Sequence, residues 1–493
     1  MGKVTRASGK FPYLLMVTFA AVAIAALVSG TRTVTAARNY VDVPAGVVNG
    51  GLTAEEQIQR QIEQTGRLMK DLPPASQLTQ VRVTFGRDEI DAVDQTDKAS
   101  TPLKIGLVKA MTPALEVSGL DRGAANSPRQ GTAGEALRTR DGGYVWAASV
   151  SSDQAGAIRL HIENLSLPKG GELYVYSRGG ESYGPYKGTG IDGSGEFWTP
   201  AVFGRETLVQ VRISGPAAEA SLHEVSFRIA EIGIITEKNV GGLNPTLDAP
   251  PPSFCGNPTC IVDASCYSAA NSIRDAYAKQ EWIAGAFIYT CTGAVLNDTN
   301  PSSANYFLTA NHCYNKNTNA KNVDFYWRFR TSTCNGSCPS NNGWPYKTHG
   351  ASVAASNRKG DFTLVSLTQA LPAGTVRLGF TNAPVANTNG VALHRVSNPN
   401  FGPQVYNEQS VSTSAPTCNG WPRGERIYSR DTLGGTDGGS SGSPVVNASD
   451  QVVGQLSGAC GTNVNDPCDA VNNATVDGAL AFYWTSVQAF LAP

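Results

Sequence analysis

Three short segments carry residues that could do nucleophilic chemistry together: Thr309-Ala310-Asn311-His312-Cys313, Gly360-Asp361-Phe362-Thr363-Leu364 and Gly439-Ser440-Ser441-Gly442-Ser443-Pro444. A serine hydroxyl is a poor nucleophile at neutral pH. It needs a base within hydrogen-bond reach and a third group that fixes the tautomer of that base. Ser441, His312 and Asp361 are the residue types those roles require. The glycines beside the serine have a purpose of their own. Gly439 lets the backbone turn so that its N–H and that of Ser441 can face a developing oxyanion, a contribution of roughly 3 to 4 kcal/mol in such sites. Singly, the segments have ordinary explanations: a flexible Gly/Ser loop, a surface histidine, a turn aspartate. Together they read as an active site, because His312 adjoins a cysteine, Asp361 opens an apolar strand and Pro444 closes the serine loop.

The elements that must hold these residues are strands. The order His, Asp, Ser along the chain belongs to β-barrel scaffolds, since unrelated folds thread the same three residues in other orders. A nucleophile elbow is excluded, because it needs glycine where Ser443 stands. Residues 253–493 show short strands such as Ala284-Gly285-Ala286-Phe287-Ile288-Tyr289-Thr290 and Gln451-Val452-Val453-Gly454-Gln455-Leu456, with a helix expected from Ala270 to Lys279. From about Gly134 to Ile235, alternating runs such as Leu208-Val209-Gln210-Val211-Arg212-Ile213 are bounded by Gly, Pro or Ser, which suggests an antiparallel β-sandwich. Thr53 and Glu56 form a capping box before a helical pattern that runs to Leu72. Between the halves, Gly241 to Pro252 is a proline-rich linker by composition. The expected fold class is all-β, a C-terminal double barrel preceded by a sandwich.

Cysteines divide the chain in the same way. All ten lie at or beyond Cys255, and an even set confined to one segment of an exported chain reads as a disulfide framework. A zinc set from Cys334, Cys338, Cys460 and Cys468 is the competing reading, and it lacks tight paired spacing. The N-terminus agrees with export. Lys3, Arg6 and Lys10 precede an apolar run from Phe11 to Val28 and small residues near Ala37, so residues 1–36 read as a signal peptide, with an uncleaved anchor as the alternative. With a net charge of −1 and only 16% charged residues, the chain has no basic field to recruit nucleic acid.

The C-terminal segment resembles the chymotrypsin-fold serine endopeptidases, and most closely the bacterial lysyl endopeptidases. The resemblance covers about residues 255 to 486. It rests on Cys291-Thr292-Gly293, the run from Phe307 to Cys313, Gly360 to Leu364, Ser440 to Val445, Val453-Gly454-Gln455-Leu456 and Trp484. It implies that His312 is the general base, Asp361 its orienting partner and Ser441 the nucleophile, with the Gly439 and Ser441 amides as the oxyanion hole. It also implies disulfides Cys291 with Cys313, Cys266 with Cys334 and Cys260 with Cys460, and leaves Cys255, Cys338, Cys418 and Cys468 unpaired by any pattern. Two departures follow. Thr475 stands where a lysyl endopeptidase has its pocket aspartate, although Asp437, Asp469 and Asp477 are close in sequence. Ser440 replaces the aspartate that pairs with a newly cut N-terminus in animal digestive proteases, so activation by terminus insertion is not expected.

The resemblance and the cysteine-free first half together suggest that residues 37–252 are a prosegment that aids folding or inhibits, and residues 253–493 the catalytic domain. The alternative is a permanent binding module. For the whole chain, the expected function is a secreted or periplasmic serine endopeptidase acting on proteins or peptides as a monomer, with no metal or cofactor. The alternative is a secreted adhesion or ligand-binding protein that keeps the fold without turnover.

Overall fold

Alternating apolar residues make strand the commonest regular element of the described chain, and the strands gather around two barrels and a sandwich. The computed structural model describes residues 40–75, 78–94, 102–122, 135–240, 254–300, 304–339 and 346–493. The expected signal peptide (1–36) and linker (241–252) lie outside the described residues.

Helix α1 (Ala54–Lys70) starts where the capping box places it: Glu56 N–H donates to Thr53 Oγ1 at 3.1 Å, and Thr53 N–H donates to Glu56 Oε2 at 2.8 Å. The sandwich comprises β1 (Leu103–Ser118), β2 (Tyr144–Ser151), β3 (Ala155–Ser166), β4 (Gly171–Tyr176), β5 (Glu206–Ile213) and β6 (Ser226–Thr236). Strands β4, β5 and β2 are neighbours in one sheet, and β3, β6 and β1 in the other. Trp146, Val175 and Val211 from the first sheet share a buried core with Ile158, Leu160 and Ile232 from the second. The sandwich begins earlier than the sequence pattern indicates. Gly106 and Pro113 make β1 read as broken, yet the strand continues through a register shift opposite Ile229 and Glu231 that absorbs the proline.

The first barrel comprises β7 (Tyr277–Ala284), β8 (Phe287–Val295), β9 (Tyr306–Ala310), β10 (Asp324–Trp327), β11 (Tyr346–His349), β12 (Ala351–Asn357) and β13 (Phe362–Leu367). Strand β8 pairs with both β7 and β9, β7 pairs with β10, β10 with β11, and β13 with both β12 and β9. The helix expected from Ala270 to Lys279 is absent. Short 3₁₀ turns at Ser268–Ala270 and Arg274–Ala276 lead into β7, whose pairing on both edges overrides local helix propensity. The second barrel comprises β14 (Ala392–Ser397), β15 (Val405–Val411), β16 (Arg426–Leu433), β17 (Pro444–Asn447), β18 (Gln451–Gly461) and β19 (Asn473–Ala479). It closes in the order β18, β17, β14, β15, β16, β19 and back to β18. Helix α2 (Leu480–Leu491) then packs Leu480, Tyr483, Val487 and Leu491 on Phe362 and Leu364. The fold is all-β in its framework, with a double barrel after a sandwich.

Sandwich and first barrel share a sheet. Strand β1 pairs with β6 on one edge and with β8 on the other. Charges are buried at the same junction. Arg159 on β3 meets Glu281 on β7 at 3.3 Å and donates to Asn322 O at 2.6 Å, while Lys347 on β11 meets Glu181 at 3.1 Å. Burial and the neighbouring Asp324 charge push Glu281 up to about 7 even with Arg159 beside it. Charges taken out of water in this way demand partners, and each of these finds one across the junction.

Five disulfides cross-link the C-terminal half. Cys291–Cys313 and Cys266–Cys334 form as expected. Cys260 does not bond Cys460. It bonds Cys468 with Cα atoms 5.5 Å apart, and Cys460 bonds Cys418 at 5.8 Å, both within bridging distance. The reason is topological. Cys460 lies on β18 in a cluster with Ala415, Tyr428 and Cys418, whereas Cys260 meets the loop after β18 near Pro467. The fifth pair is Cys255–Cys338. All four cysteines of the zinc alternative are therefore oxidised, and none retains a thiolate for a metal.

Candidate active site

Between the barrels lies a cleft of about 800 Å³, and His312, Asp361 and Ser441 all line it. His312 follows the end of β9 and Asp361 precedes β13, two strands paired in antiparallel register, so the pairing brings residues far apart in sequence into contact. His312 Nδ1 lies 2.9 Å from Asp361 Oδ2, and the His312 main-chain N–H donates to Oδ1 at 3.0 Å. Asp361 adopts φ 51°, in the left-handed region that costs an ordinary residue about 1 kcal/mol or more. Its carbonyl explains how that is sustained. It accepts from Asn311 N–H at 3.0 Å and from Gln455 Nε2 at 2.9 Å, while Tyr483 Oη donates to Gln455 Oε1 at 2.5 Å.

Burial acts on both members of the pair and loses to their mutual attraction. Burial pushes the Asp361 carboxyl up, but the His312 charge and hydrogen bonds, with the Ser457 hydroxyl, hold it below the usual carboxylate range. Burial likewise pushes the His312 imidazole down, and the Asp361 charge and hydrogen bond raise it overall despite nearby Arg426. Arg426 is itself buried. It donates to Lys359 O at 2.6 Å and lies 5.5 Å from the Trp421 ring at the wall of the cleft.

The serine loop is held by its carbonyls. Gly438 O accepts from Asn400 N–H at 2.6 Å, Gly439 O from the Thr292 hydroxyl at 2.8 Å, Ser440 O from Ser443 N–H at 3.0 Å and Ser441 O from Thr292 N–H at 2.9 Å. In a trans peptide the C=O and the following N–H point opposite ways. The Asn400 contact and the Ser440–Ser443 turn thus fix the two carbonyls that precede the Gly439 and Ser441 amides. Gly439 has φ 94° and Gly442 has φ 83°, and a Cβ on Gly442 would come within 2.6 Å of Thr292 O. Ser440 is fully buried, and its hydroxyl accepts from Ser397 Oγ at 3.0 Å. Among the described residues no hydrogen bond engages the Ser441 hydroxyl.

A family model described as lysyl endopeptidase, C-terminal domain, matches residues 256–472, and another described as lysyl endopeptidase N-terminal domain matches residues 87–233. The chain belongs to the lysyl endopeptidase family. It is accordingly a serine endopeptidase. The lysyl endopeptidase of Pseudomonas aeruginosa is 25% identical over 377 residues, which span 73% of this chain and 75% of that protein. Among solved structures, the active form of the Rv3671c protease from M. tuberculosis aligns with TM-score 0.32 and 16% identity, over 50% of this chain and 94% of that one. The HtrA-type protease AlgW with a tripeptide aligns with TM-score 0.33 and 15% identity, over 45% and 62%.

Several residues that position this family member's site gave no warning in its sequence. Thr292, Gln455 and Arg426 act through contacts more than 60 positions away, and Asn400 through one 38 positions away, so no local motif announces them. The pocket carboxylates divide sharply. Asp477 is buried against Arg395 at 2.7 Å, and Asp469 is bound by Asn463 and Asn472. Asp437 lines the cleft but accepts from Gly438 N–H at 2.8 Å and Asn400 Nδ2 at 3.2 Å. Asp431 on β16 accepts from the Thr475 hydroxyl at 3.0 and 3.1 Å, and burial pushes it up to about 6 despite hydrogen bonds from Asn407 and Thr475.

Proposed function

We propose that this endopeptidase cleaves peptide bonds through an acyl-enzyme on Ser441, with His312 as general base and Asp361 as its orienting partner. The observation that carries the reading is the 2.9 Å pairing of His312 Nδ1 with Asp361 in the cleft that Ser441 also lines. With Nδ1 donating to the carboxylate, Nε2 keeps its lone pair and takes the serine proton as the hydroxyl attacks the carbonyl. The oxyanion settles on the Gly439 and Ser441 amides, and protonated His312 then donates to the leaving amine. Water attacks the acyl-enzyme with His312 again as base. A fluorophosphonate probe tests this directly. It labels Ser441, and failure to label would favour the binding-protein alternative.

The pH profile is a second check. Only neutral imidazole can accept the proton, so the rate rises as pH passes the His312 midpoint. Because Asp361 raises that midpoint, the rising limb of kcat/KM lies above the ordinary histidine value of about 6.5. A flat profile between about pH 5 and 8 would contradict the assignment.

A preference for cleavage after basic residues is supported by Asp431. Thr475 fills the position expected for a pocket aspartate, and its hydroxyl donates to Asp431 on the adjacent strand. Ala459, register partner of Thr475, lines the cleft. The carboxylate would thus act one residue deeper than in other family members, reaching a lysine or arginine side chain beside the threonine. Asp431→Asn is expected to lower kcat/KM roughly a hundredfold for substrates ending in lysine or arginine and little for others. Equal losses on both classes would remove Asp431 from specificity. Residues 37–252 act as the prosegment on this reading. Five disulfides support a secreted or periplasmic protein, since such bonds persist in oxidising compartments.

A further inference from the structure

The turn that carries Asp361 is fixed along its whole length. Asn357 Oδ1 accepts from Lys359 N–H at 2.7 Å and from Gly360 N–H at 3.0 Å, and Arg358 O accepts from Asp361 N–H at 3.2 Å. From the second barrel, Arg426 Nη1 donates to Lys359 O, and Gln455 Nε2 to Gly360 O at 3.2 Å. The one long side chain this rigid turn adds to the cleft lining is Arg358, which is exposed. Its neighbour is placed differently. Lys359 is neutralised by Glu425, whereas among the described residues no carboxylate pairs with Arg358.

A second cation lines the same wall. Arg426 is buried, yet its guanidinium meets the main-chain carbonyls of Lys359 and Glu425 and no carboxylate among the described residues, and its Nε has no hydrogen-bond partner. A charge taken out of water without a counter-ion is costly. The cleft holds no spare acid to supply one. Its two lining carboxylates are engaged elsewhere, Asp361 by His312 and Asp437 by Gly438 N–H and Asn400 Nδ2. Low-dielectric walls focus such an unbalanced positive field into the cleft. The missing anion therefore has to arrive with what the cleft binds.

We propose that Arg358, backed by Arg426, forms a subsite for an acidic side chain of the polypeptide substrate, at one position beside the residue whose carbonyl is attacked. The proposal rests on the reading of Ser441 as nucleophile. It adds a requirement to cleavage that the Asp431 pocket does not impose. Arg358 makes the contact, because an exposed guanidinium fork can meet a carboxylate through two parallel N–H donors. Arg426 is a positioning residue that holds the turn through Lys359 O and adds its charge to the field.

The experiment uses the protein in its fluorophosphonate-reactive form. kcat/KM is measured on peptides that carry glutamate, glutamine or lysine at each position in turn around one scissile bond. At one position glutamate exceeds glutamine by about tenfold at low salt, and the ratio falls to about twofold in about 1 M salt, where the screening length is about 3 Å. Arg358→Gln brings that ratio to about one, and Arg358→Glu turns the preference to lysine at the same position. A merely structural role would slow all the peptides alike and leave the ratio unmoved. Should the variants fail to fold, the ratio and its salt dependence in the unaltered chain still decide. Ratios near one at every position, or a glutamate preference that survives Arg358→Gln, would overturn the proposal alone. Absence of both peptide turnover and fluorophosphonate labelling would overturn it together with the Ser441 assignment.

Discussion

Ser441→Ala is expected to lower kcat by about a millionfold and to abolish fluorophosphonate labelling, because it removes the hydroxyl proposed to form the acyl bond. In transition-state terms this is roughly 8 kcal/mol. The fold should not notice. The Ser441 hydroxyl has no hydrogen-bond partner among the described residues, and the loop is held by main-chain groups, through Thr292 and Asn400, that alanine leaves in place. Thermal stability is therefore expected to match that of the unaltered chain to within about 0.5 kcal/mol. On the proposed mechanism the residual rate remains above that of the uncatalysed reaction, since the assigned oxyanion donors, the Gly439 and Ser441 amides, are untouched. A variant that keeps more than about one per cent of the activity would exclude Ser441 as nucleophile, and unchanged stability removes misfolding as an escape.

What the sequence discloses and what it hides follow from locality. His312, Asp361 and Ser441 stand out because each sits in a short run whose neighbouring glycines, cysteine or proline answer to local geometry. Gly442 illustrates this, since its positive φ and its closeness to Thr292 O can be met by glycine alone. The hydrogen bonds that hold the loop are another matter. Thr292 and Asn400 look like ordinary strand and turn residues, and only barrel closure brings them to Gly438 and Gly439. The same limit explains Cys260. Its pairing with Cys468 depends on where the loop after β18 folds back, which no spacing encodes. Strand β1 was hidden by Gly106 and Pro113, yet that glycine is required. A side chain there would meet the main chain of Ile234 and Ile235 on β6, so the close approach that lets β1 bridge sandwich and barrel selects the residue that disguises the strand.

Asp361→Asn lowers kcat by about ten thousandfold while leaving the fold intact. Asparagine tolerates φ 51° as readily as aspartate, so the turn before β13 and its hydrogen bonds from Asn311 and Gln455 survive. The loss comes from the tautomer. Asp361 Oδ1 accepts from the His312 main-chain N–H at 3.0 Å, a bond that the asparagine oxygen can keep. That assignment puts the amide nitrogen where Oδ2 stood, 2.9 Å from Nδ1. The amide then donates to Nδ1, the imidazole proton moves to Nε2, and the atom that should take the serine proton already carries one. The same substitution removes the charge that raises the His312 midpoint, so any residual activity titrates at lower pH than in the unaltered chain. A small loss with the midpoint unmoved would mean that Asp361 acts only as a structural residue of the turn, whereas both changes together assign it to the electrostatics of the base.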